Sequence, residues 1–224
     1  MRVGVTVFPG SNCDRDALSA LERVGAEPVE LWHADADLKG VDAVFVPGGF
    51  SYGDYLRPGA IARFSGVMGA LEDFARDGGP VIGVCNGFQV LTEAHLLPGA
   101  LLQNNNTRFV CTRTLVRVES ADTPWTAACE EGAELTLPVA HNEGNYYADA
   151  ETLRTLEEEN RVVLRYLENP NGSANDIAGV CNEARNVVGV MPHPERASDP
   201  VLGLDDGVCI LRSILQGAKA GADV

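Results

Sequence analysis

The sequence predicts an α/β fold: an open, mostly parallel, doubly wound sheet with helices on both faces and an antiparallel extension. Three observations carry this prediction. Short apolar, β-branched segments alternate with helical patterns through the first half of the chain. Several of these segments end on glycine, cysteine or histidine, as expected where the carboxyl ends of parallel strands form a site. Residues 107–140 instead have a hairpin-like pattern, which indicates the antiparallel extension.

The first predicted element is a strand, because Met1 and Arg2 are followed at once by a run of Val, Gly and Thr. A helix follows from the start signal Ser-Asn-Cys-Asp, and strands and helices then alternate. The predicted strands cover 2–8, 27–32, 42–47, 80–84, 107–118, 134–140, 161–167, 177–182 and 186–191. The predicted helices cover 13–25, 59–77, 86–95, 149–159 and 205–217. A chain of this length can bury a large core, so we expect a single domain over 1–224.

Composition narrows the possible functions. The formal net charge of −15 disfavours nucleic acid as a partner, because binding to phosphates needs clustered Lys and Arg. No apolar stretch approaches the length of a membrane span, and the N-terminus lacks a signal-peptide pattern. The six cysteines show no Cys-x-x-Cys spacing, which argues against a zinc site or a disulfide framework. These features predict a cytoplasmic protein without a membrane contact or a bound metal.

Residues 81–91 have the pattern of a nucleophile elbow with Cys85 at its apex, between a short apolar strand and a helix. Such a turn lifts the side chain out of the sheet and points it towards solvent. The helix N-terminus favours the thiolate, which is the reactive form. Gly83 and Gly87 flank the turn, where a close backbone approach leaves no room for a Cβ atom. The alternative is a buried structural cysteine. A second thiol, Cys13, opens a predicted helix but lacks the strand-and-turn pattern.

Residues 187–196 form another strand-like segment, which ends in a turn that carries His193 and Glu195. Pro192 and Pro194 restrict the backbone of this turn. Side chains two residues apart in an extended segment point the same way. Glu195 can therefore orient the imidazole of His193 while the other ring nitrogen takes the thiol proton. The alternative is a surface turn with a solvated histidine.

Residues 42–49 predict a third apolar strand, which ends on Gly48 and Gly49. Backbone N–H groups at a glycine pair can converge on one point and bind an anion. The N–H groups of Gly49 and Asn86 would then stabilise the oxyanion of a tetrahedral intermediate. The alternative is an ordinary glycine-rich loop.

These three segments together resemble the class I (triad) glutamine amidotransferases. The resemblance rests on Gly-Val-Cys-Asn-Gly-Phe-Gln at 83–89, Pro-Gly-Gly-Phe at 47–50 and Pro-His-Pro-Glu at 192–195. Similar segments at 9–14, 48–59, 104–106 and 141–147 extend it over essentially the whole chain. By resemblance, Cys85 is the nucleophile, His193 the base and Glu195 the residue that orients the base.

The resemblance also implies a pocket for L-glutamine, with Gln89, Phe50 and His141 as candidate substrate-binding residues. Gln89 would contact the amino-acid end of the substrate. His141 and Glu143 are too few to hold a metal, because no third and fourth ligand accompany them.

The implied product is ammonia, which a partner consumes. No P-loop or other ATP motif occurs in the chain, so no cofactor is expected in it. The resemblance implies a large synthetase subunit that carries ATP and Mg²⁺, together with a small bridging subunit.

Two other classes of function stay open at this point. A free-standing cysteine hydrolase of similar architecture, a peptidase or a γ-glutamyl hydrolase, would also use a cysteine and a histidine. A non-catalytic interaction subunit could retain the fold without the activity.

Overall fold

The computed structural model describes residues 1–220, and its central feature is a nine-stranded sheet in the order β2-β1-β3-β4-β11-β10-β9-β6-β7. A second sheet pairs only β5 with β8. The strands are β1 (Arg2–Val7), β2 (Glu27–Trp32), β3 (Ala43–Val46), β4 (Val81–Val84), β5 (Ala100–Leu102), β6 (Val110–Val118), β7 (Glu134–His141), β8 (Asn145–Tyr147), β9 (Val162–Tyr166), β10 (Ile177–Cys181) and β11 (Val187–Val190). The helices are α1 (Asp14–Val24), α2 (Gly66–Arg76), α3 (Asn86–Glu93), α4 (Ala150–Glu158) and α5 (Val208–Ala220).

Five neighbouring strands, β2, β1, β3, β4 and β11, are parallel. Every residue of β3, β4 and β11 is buried, as expected for short Val- and Ile-rich strands covered on both faces. Helix α1 connects β1 to β2, its neighbour in one direction across the sheet. Helix α2 connects β3 to β4, its neighbour in the opposite direction. Right-handed crossovers therefore place α1 and α2 on opposite faces of the sheet.

The other four strands, β10, β9, β6 and β7, are joined by antiparallel pairing. The longest ladder pairs β6 with β7 over eight residue pairs, from Val110–His141 to Arg117–Glu134. The predicted fold class is confirmed: the sheet is mixed and mostly parallel, with an antiparallel extension that includes the predicted hairpin.

Each predicted strand and helix overlaps one in the structure, but two details differ. The predicted helix 59–77 begins only at Gly66 because Ser65 is extended (φ −68°, ψ 151°) and residues 62–64 make a single 3-10 turn. Gly59 also has a left-handed backbone (φ 80°), which a continuous helix could not contain. Strands β5 and β8 were not predicted.

The strand register brings the candidate residues to one edge of the sheet. Val84 of β4 pairs with Val190 of β11, and Gly83 pairs with Val46 of β3. The segments that begin at residues 47, 85 and 191 therefore leave three adjacent strands at the same edge. This is the edge at which open α/β sheets bind their ligands.

Among residues 1–220, no helix is both long enough and apolar enough to cross a bilayer. The single domain predicted over 1–224 stays a prediction, and its residues 221–224 lie outside the described residues.

Candidate active site

Cys85 stands at a strained turn between β4 and α3. Its backbone has φ 51° and ψ −107°, a combination that residues with a side chain rarely adopt. A Cβ atom at Gly83 would lie 2.6 Å from the backbone of Gly87, and one at Gly87 would overlap the carbonyl oxygen of Val46. The two glycines thus let α3 begin directly against the sheet. The strand, strained turn and helix of a nucleophile elbow are all present.

His193 and Glu195 follow β11, and their side chains meet inside the protein. His193 Nδ1 lies 2.6 Å from Glu195 Oε1, and both residues are buried. The backbone N–H of His193 donates to the carbonyl of Pro138 (2.8 Å), which fixes the turn against β7. Burial by itself lowers the pKa of His193, but the negative charges of Glu195 and Cys85 outweigh it. The pKa of His193 is raised well above its ordinary value, which favours the imidazolium.

Gly48 shows how closely Cys85 and His193 approach each other. A Cβ atom at position 48 would lie 2.7 Å from His193 Cε1 and 3.4 Å from Cys85 Cβ. Glycine is therefore required where these two side chains converge. The buried Nε2 atom of His193 has no hydrogen-bond partner among the described residues, so no other group of the protein competes for the proton that it exchanges with a thiol or a substrate.

Cys85 is covered, contrary to the expectation that the elbow points its side chain towards solvent. Only 5% of the residue is exposed. Its Sγ atom lies 3.6 Å from the carbonyl oxygen of Ala140, to which the thiol donates. The Gln89 side chain also donates to the carbonyl of Glu143 (2.6 Å). The segment 140–144 thus lies over the elbow, which the sequence pattern of residues 81–91 cannot show.

The two predicted oxyanion donors, Gly49 and Asn86, lie on segments that contact each other. Gly49 has φ 145°, and a Cβ atom there would lie 2.7 Å from the backbone nitrogen of Asn12. The side chain of Asn86 holds the facing loop, because its Oδ1 accepts from the N–H of Ser51 (3.1 Å) and its Nδ2 donates to Asp54 (3.3 Å). The side chain of Asn86 therefore holds this loop, a role separate from the one predicted for its backbone N–H as an oxyanion donor.

The three candidate substrate-binding residues have different environments. Gln89 is buried, and its Oε1 accepts from Asn86 Nδ2 (2.9 Å). Phe50 is exposed, with its ring centroid 6.4 Å from that of Phe109. His141 is buried, and its Nδ1 lies 3.1 Å from Asn104 Oδ1. Burial, followed by the charge of His193, lowers the pKa of His141 to about 4, so His141 is neutral near pH 7.

The structure also reveals two residues beside the triad that sequence reasoning did not place there. Cys13 Sγ and ligand atoms of His193 and Glu195 all lie within 4.8 Å of one another. Arg196 Nη2 donates to Cys13 Sγ (3.1 Å), and its Nε donates to Asp16 (3.0 Å). Cys13 precedes α1, so its proximity to the triad depends on the neighbouring positions of β1 and β3. Only that pairing, and not the local sequence, could have revealed it.

Comparison with known proteins agrees with this geometry. A family described as the CobB/CobQ-like glutamine amidotransferase domain matches residues 1–203. The chain is 81% identical to phosphoribosylformylglycinamidine synthase subunit PurQ of Rubrobacter xylanophilus, over 98% of this chain and 100% of the relative. It is 55% identical to the protein of the same name from Streptomyces avermitilis, over 96% of this chain and 97% of the relative.

Two solved structures are similar to this chain over nearly its whole length. A chain in the structure of PurLQS from Thermotoga maritima has a TM-score of 0.90 and 45% identity, with coverage of 97% of this chain and 98% of that one. The glutaminase domain of Trypanosoma brucei CTPS with bound acivicin has a TM-score of 0.64 at 15% identity, with coverage of 98% and 94%. The second comparison shows a shared fold.

Proposed function

The chain belongs to the CobB/CobQ-like glutamine amidotransferase family, and from this premise we propose that it is the glutaminase subunit of phosphoribosylformylglycinamidine synthase. The relative from Rubrobacter xylanophilus carries that name and matches at 81% identity over its whole length. In this role the chain hydrolyses glutamine to glutamate and ammonia. A synthetase subunit uses the ammonia to convert formylglycinamide ribonucleotide to formylglycinamidine ribonucleotide in purine biosynthesis.

The observation that supports the chemistry is the convergence of Cys85 and His193 at Gly48, together with the contact of His193 Nδ1 with Glu195 Oε1 (2.6 Å). The Cys85 thiolate attacks the side-chain amide carbon of glutamine, and the carbonyl electrons move to the oxygen. The N–H groups of Gly49 and Asn86 bind that oxyanion. His193 then gives a proton to the amide nitrogen, which leaves as ammonia, and a γ-glutamyl thioester remains.

Hydrolysis of the thioester reverses the role of the imidazole. His193 takes a proton from water, the resulting hydroxide attacks the thioester carbon, and the thiolate of Cys85 leaves with glutamate as the product. Glu195 fixes the Nδ1–H tautomer of His193 and stabilises its positive charge in both steps. This charge stabilisation agrees with the raised pKa of His193.

The substrate pocket is proposed to lie under the segment 140–144. His141 belongs to this segment, Gln89 donates to it from α3, and Phe50 is exposed. A cysteine that is 95% covered fits a small amide better than a polypeptide, which needs an open cleft. This burial favours a glutaminase over a peptidase.

The chain is proposed to release ammonia but not to consume it, so partner proteins are expected to supply the synthetase step. The relative in Thermotoga maritima is part of a structure named PurLQS. We therefore assign a PurL-type synthetase subunit, which would carry ATP and Mg²⁺, and a small PurS-type bridging subunit. The chain itself is proposed to need no cofactor and to act in the cytoplasm.

The test compares two nitrogen sources in a complex reconstituted with the synthetase subunits. Cys85→Ser is expected to abolish amidine formation from glutamine but to leave formation from a high concentration of ammonium salt nearly unchanged, because only the first route needs the thiol. Cys111→Ser, at an exposed cysteine of β6, is the matched control and should retain both activities. Loss of both activities in Cys85→Ser would contradict the assigned role of the thiol.

A further inference from the structure

A second pair of cysteines lies apart from the catalytic residues. Cys129 lies in the connection between β6 and β7, and Cys209 is in the first turn of α5. Their sulfur atoms are 2.6 Å apart, although 80 residues separate them along the chain. A disulfide bond has a length of about 2.05 Å. The two sulfur atoms are therefore within reach of bond formation.

The two segments are held together independently of their sulfur atoms. The buried hydroxyl of Ser213 accepts from the N–H of Ala128 (2.9 Å) and donates to the carbonyl of Cys209 (2.8 Å). One side chain of α5 thus bridges the residue before Cys129 and the backbone of Cys209. Bond formation would not require the two segments to be brought together first.

The two thiols also differ in reactivity. Cys129 donates its proton towards Cys209 Sγ, which lowers the pKa of Cys209, and the same bond, together with burial, raises the pKa of Cys129. Cys209 also lies at the N-terminus of a 13-residue helix, where the dipole favours an anion. Cys209 is partly exposed, whereas Cys129 is 8% exposed. Cys209 is therefore the thiol that a small oxidant reaches first.

We propose that Cys129 and Cys209 are a redox modification site that closes to an intramolecular disulfide when a low-molecular-weight disulfide acts as the oxidant. The Cys209 thiolate attacks one sulfur of the oxidant, which forms a mixed disulfide and releases one small thiolate. Cys129 then loses its proton and attacks Cys209 Sγ, which releases the second small thiolate. The protein loses two hydrogen atoms, and the oxidant is reduced to two thiols.

The bond would fasten the start of α5 to the β6–β7 connection. The two residues just before α5 contact the end of the turn that carries the candidate base and also β7, since Gly207 N–H donates to Ala197 O (2.7 Å) and Asp206 accepts from the N–H of Thr136 in β7 (2.7 Å). A disulfide that closes a long loop restricts mainly the unfolded chain. Oxidation is therefore expected to raise Tm, by on the order of 5–10 °C, and to leave the folded site in place.

The test treats the reduced full-length chain with oxidised glutathione and maps its peptides without reduction. We expect a linked pair of peptides that contain Cys129 and Cys209, reversal by dithiothreitol, and a higher Tm. The exposed Cys111 should instead keep a glutathione adduct, which shows that the reagent was active. Cys129→Ser should trap the adduct on Cys209, and Cys111→Ser should still close the bond.

Other outcomes would overturn the proposal. One is a glutathione adduct that persists on Cys209 in the unsubstituted chain, and another is a reduced pair in a sample with a fully modified Cys111. A crosslink that joins other cysteines would also overturn it. If Cys129→Ser does not fold, the peptide map of the unsubstituted chain decides the matter alone.

Discussion

At the scale of single residues, the site contains two thiols close to one imidazole, and the structure distinguishes between them. Cys85 stands in the strained elbow and donates to Ala140 O. Cys13 instead accepts a hydrogen bond from Arg196. Both are buried. Their surroundings, rather than their exposure, should decide which one reacts with a substrate-like reagent.

We expect an electrophilic analogue of glutamine to label Cys85 and to leave Cys13 unmodified. The proposed oxyanion donor Asn86 directly follows Cys85 and the proposed glutamine pocket adjoins it, whereas Cys13 accepts a hydrogen bond from Arg196. Peptide mapping by mass spectrometry measures the label, with Cys13→Ser as the matched control that should be labelled as fast as the unsubstituted chain. Label found mainly on Cys13 would mean that Cys13, and not Cys85, is the nucleophile.

Glu195→Gln should lower glutamine turnover by roughly 10²–10⁴-fold, the range expected when general acid–base catalysis is disabled. The amide can still contact His193 Nδ1, but it carries no charge to stabilise the imidazolium. Steady-state release of glutamate measures the loss, and circular dichroism checks the fold. Glu130→Gln, at an exposed position, is the control. A rate within about twofold of the unsubstituted chain would remove Glu195 from its proposed role.

His141 should make the protein less stable as the pH falls from 6.5 to 4. The folded protein holds His141 neutral because its pKa is about 4, whereas the unfolded chain takes up a proton near pH 6.5. The unfolded state thus binds more protons in this window, so the free energy of unfolding decreases as the pH is lowered. A difference of about 2.5 pKa units corresponds to about 3 kcal/mol.

Urea unfolding at several pH values can measure this effect. Asp54 acts in the opposite direction, because burial and Glu143 raise its pKa to about 6 and the folded state then takes up a proton first. The comparison is therefore made between the unsubstituted chain and His141→Gln, which share Asp54. Parallel stability curves for the two proteins would contradict the assignment.

At the scale of elements, the start of α3 depends on the absence of a side chain at Gly87. A Cβ atom there would overlap the backbone oxygen of Val46, which no side-chain movement can relieve. Gly87→Ala should therefore lower the free energy of unfolding by at least about 2 kcal/mol. Gly69→Ala, in the open middle of α2, meets no atom within 4 Å and should instead add about 0.5–1 kcal/mol.

Denaturant unfolding of both variants gives the comparison. Equal stability of Gly87→Ala and the unsubstituted chain would mean that α3 can move away from β3. The elbow geometry at Cys85 would then not depend on this contact.

The sequence predicted the elements that local patterns determine. Strands such as β4 and β11 are apolar runs with clear ends, and Pro192 and Pro194 mark the turn after β11. Strands β5 and β8 have three residues each and exist only because they pair with each other. The start of α2 at Gly66 was also missed, since the preceding residues have a helical composition but pack as a turn over α3.

The features of the candidate site also fall into two groups, those with a local sequence pattern and those without one. The three residues of the predicted triad lie in two recognisable segments, Cys85 in one and His193 with Glu195 in the other, so local patterns could point to them. The cover over Cys85, the position of Cys13 and the contact of Cys129 with Cys209 depend on the pairing of distant segments. No spacing of residues within one segment indicates these contacts.

At the scale of the whole molecule, the site is closed while the chain is alone. The segment 140–144 covers Cys85, and Gln89 is bonded to the carbonyl of Glu143. A docked partner can shift this segment and align the N–H groups of the Gly48–Gly49 turn with the oxyanion. One such donor contributes about 2.7–4 kcal/mol in the transition state.

We therefore expect weak glutaminase activity from the purified chain and an activity about 10²–10³-fold higher in the complex. The complex is to be loaded with nucleotide and formylglycinamide ribonucleotide. Release of glutamate in the presence and absence of the synthetase subunits measures this ratio. A partner-free rate equal to that of the complex would favour a free-standing hydrolase.

The pairing of β4 with β11 has a consequence during synthesis of the protein. Cys85 leaves the ribosome long before His193, because β11 is the last strand of the sheet and β4 lies in the first half of the chain. A nascent chain therefore carries its thiol without the imidazole that activates it. The reactive centre can be assembled only after β11 and the turn that follows it have been made, so a nascent chain that ends before β11 lacks an activated nucleophile.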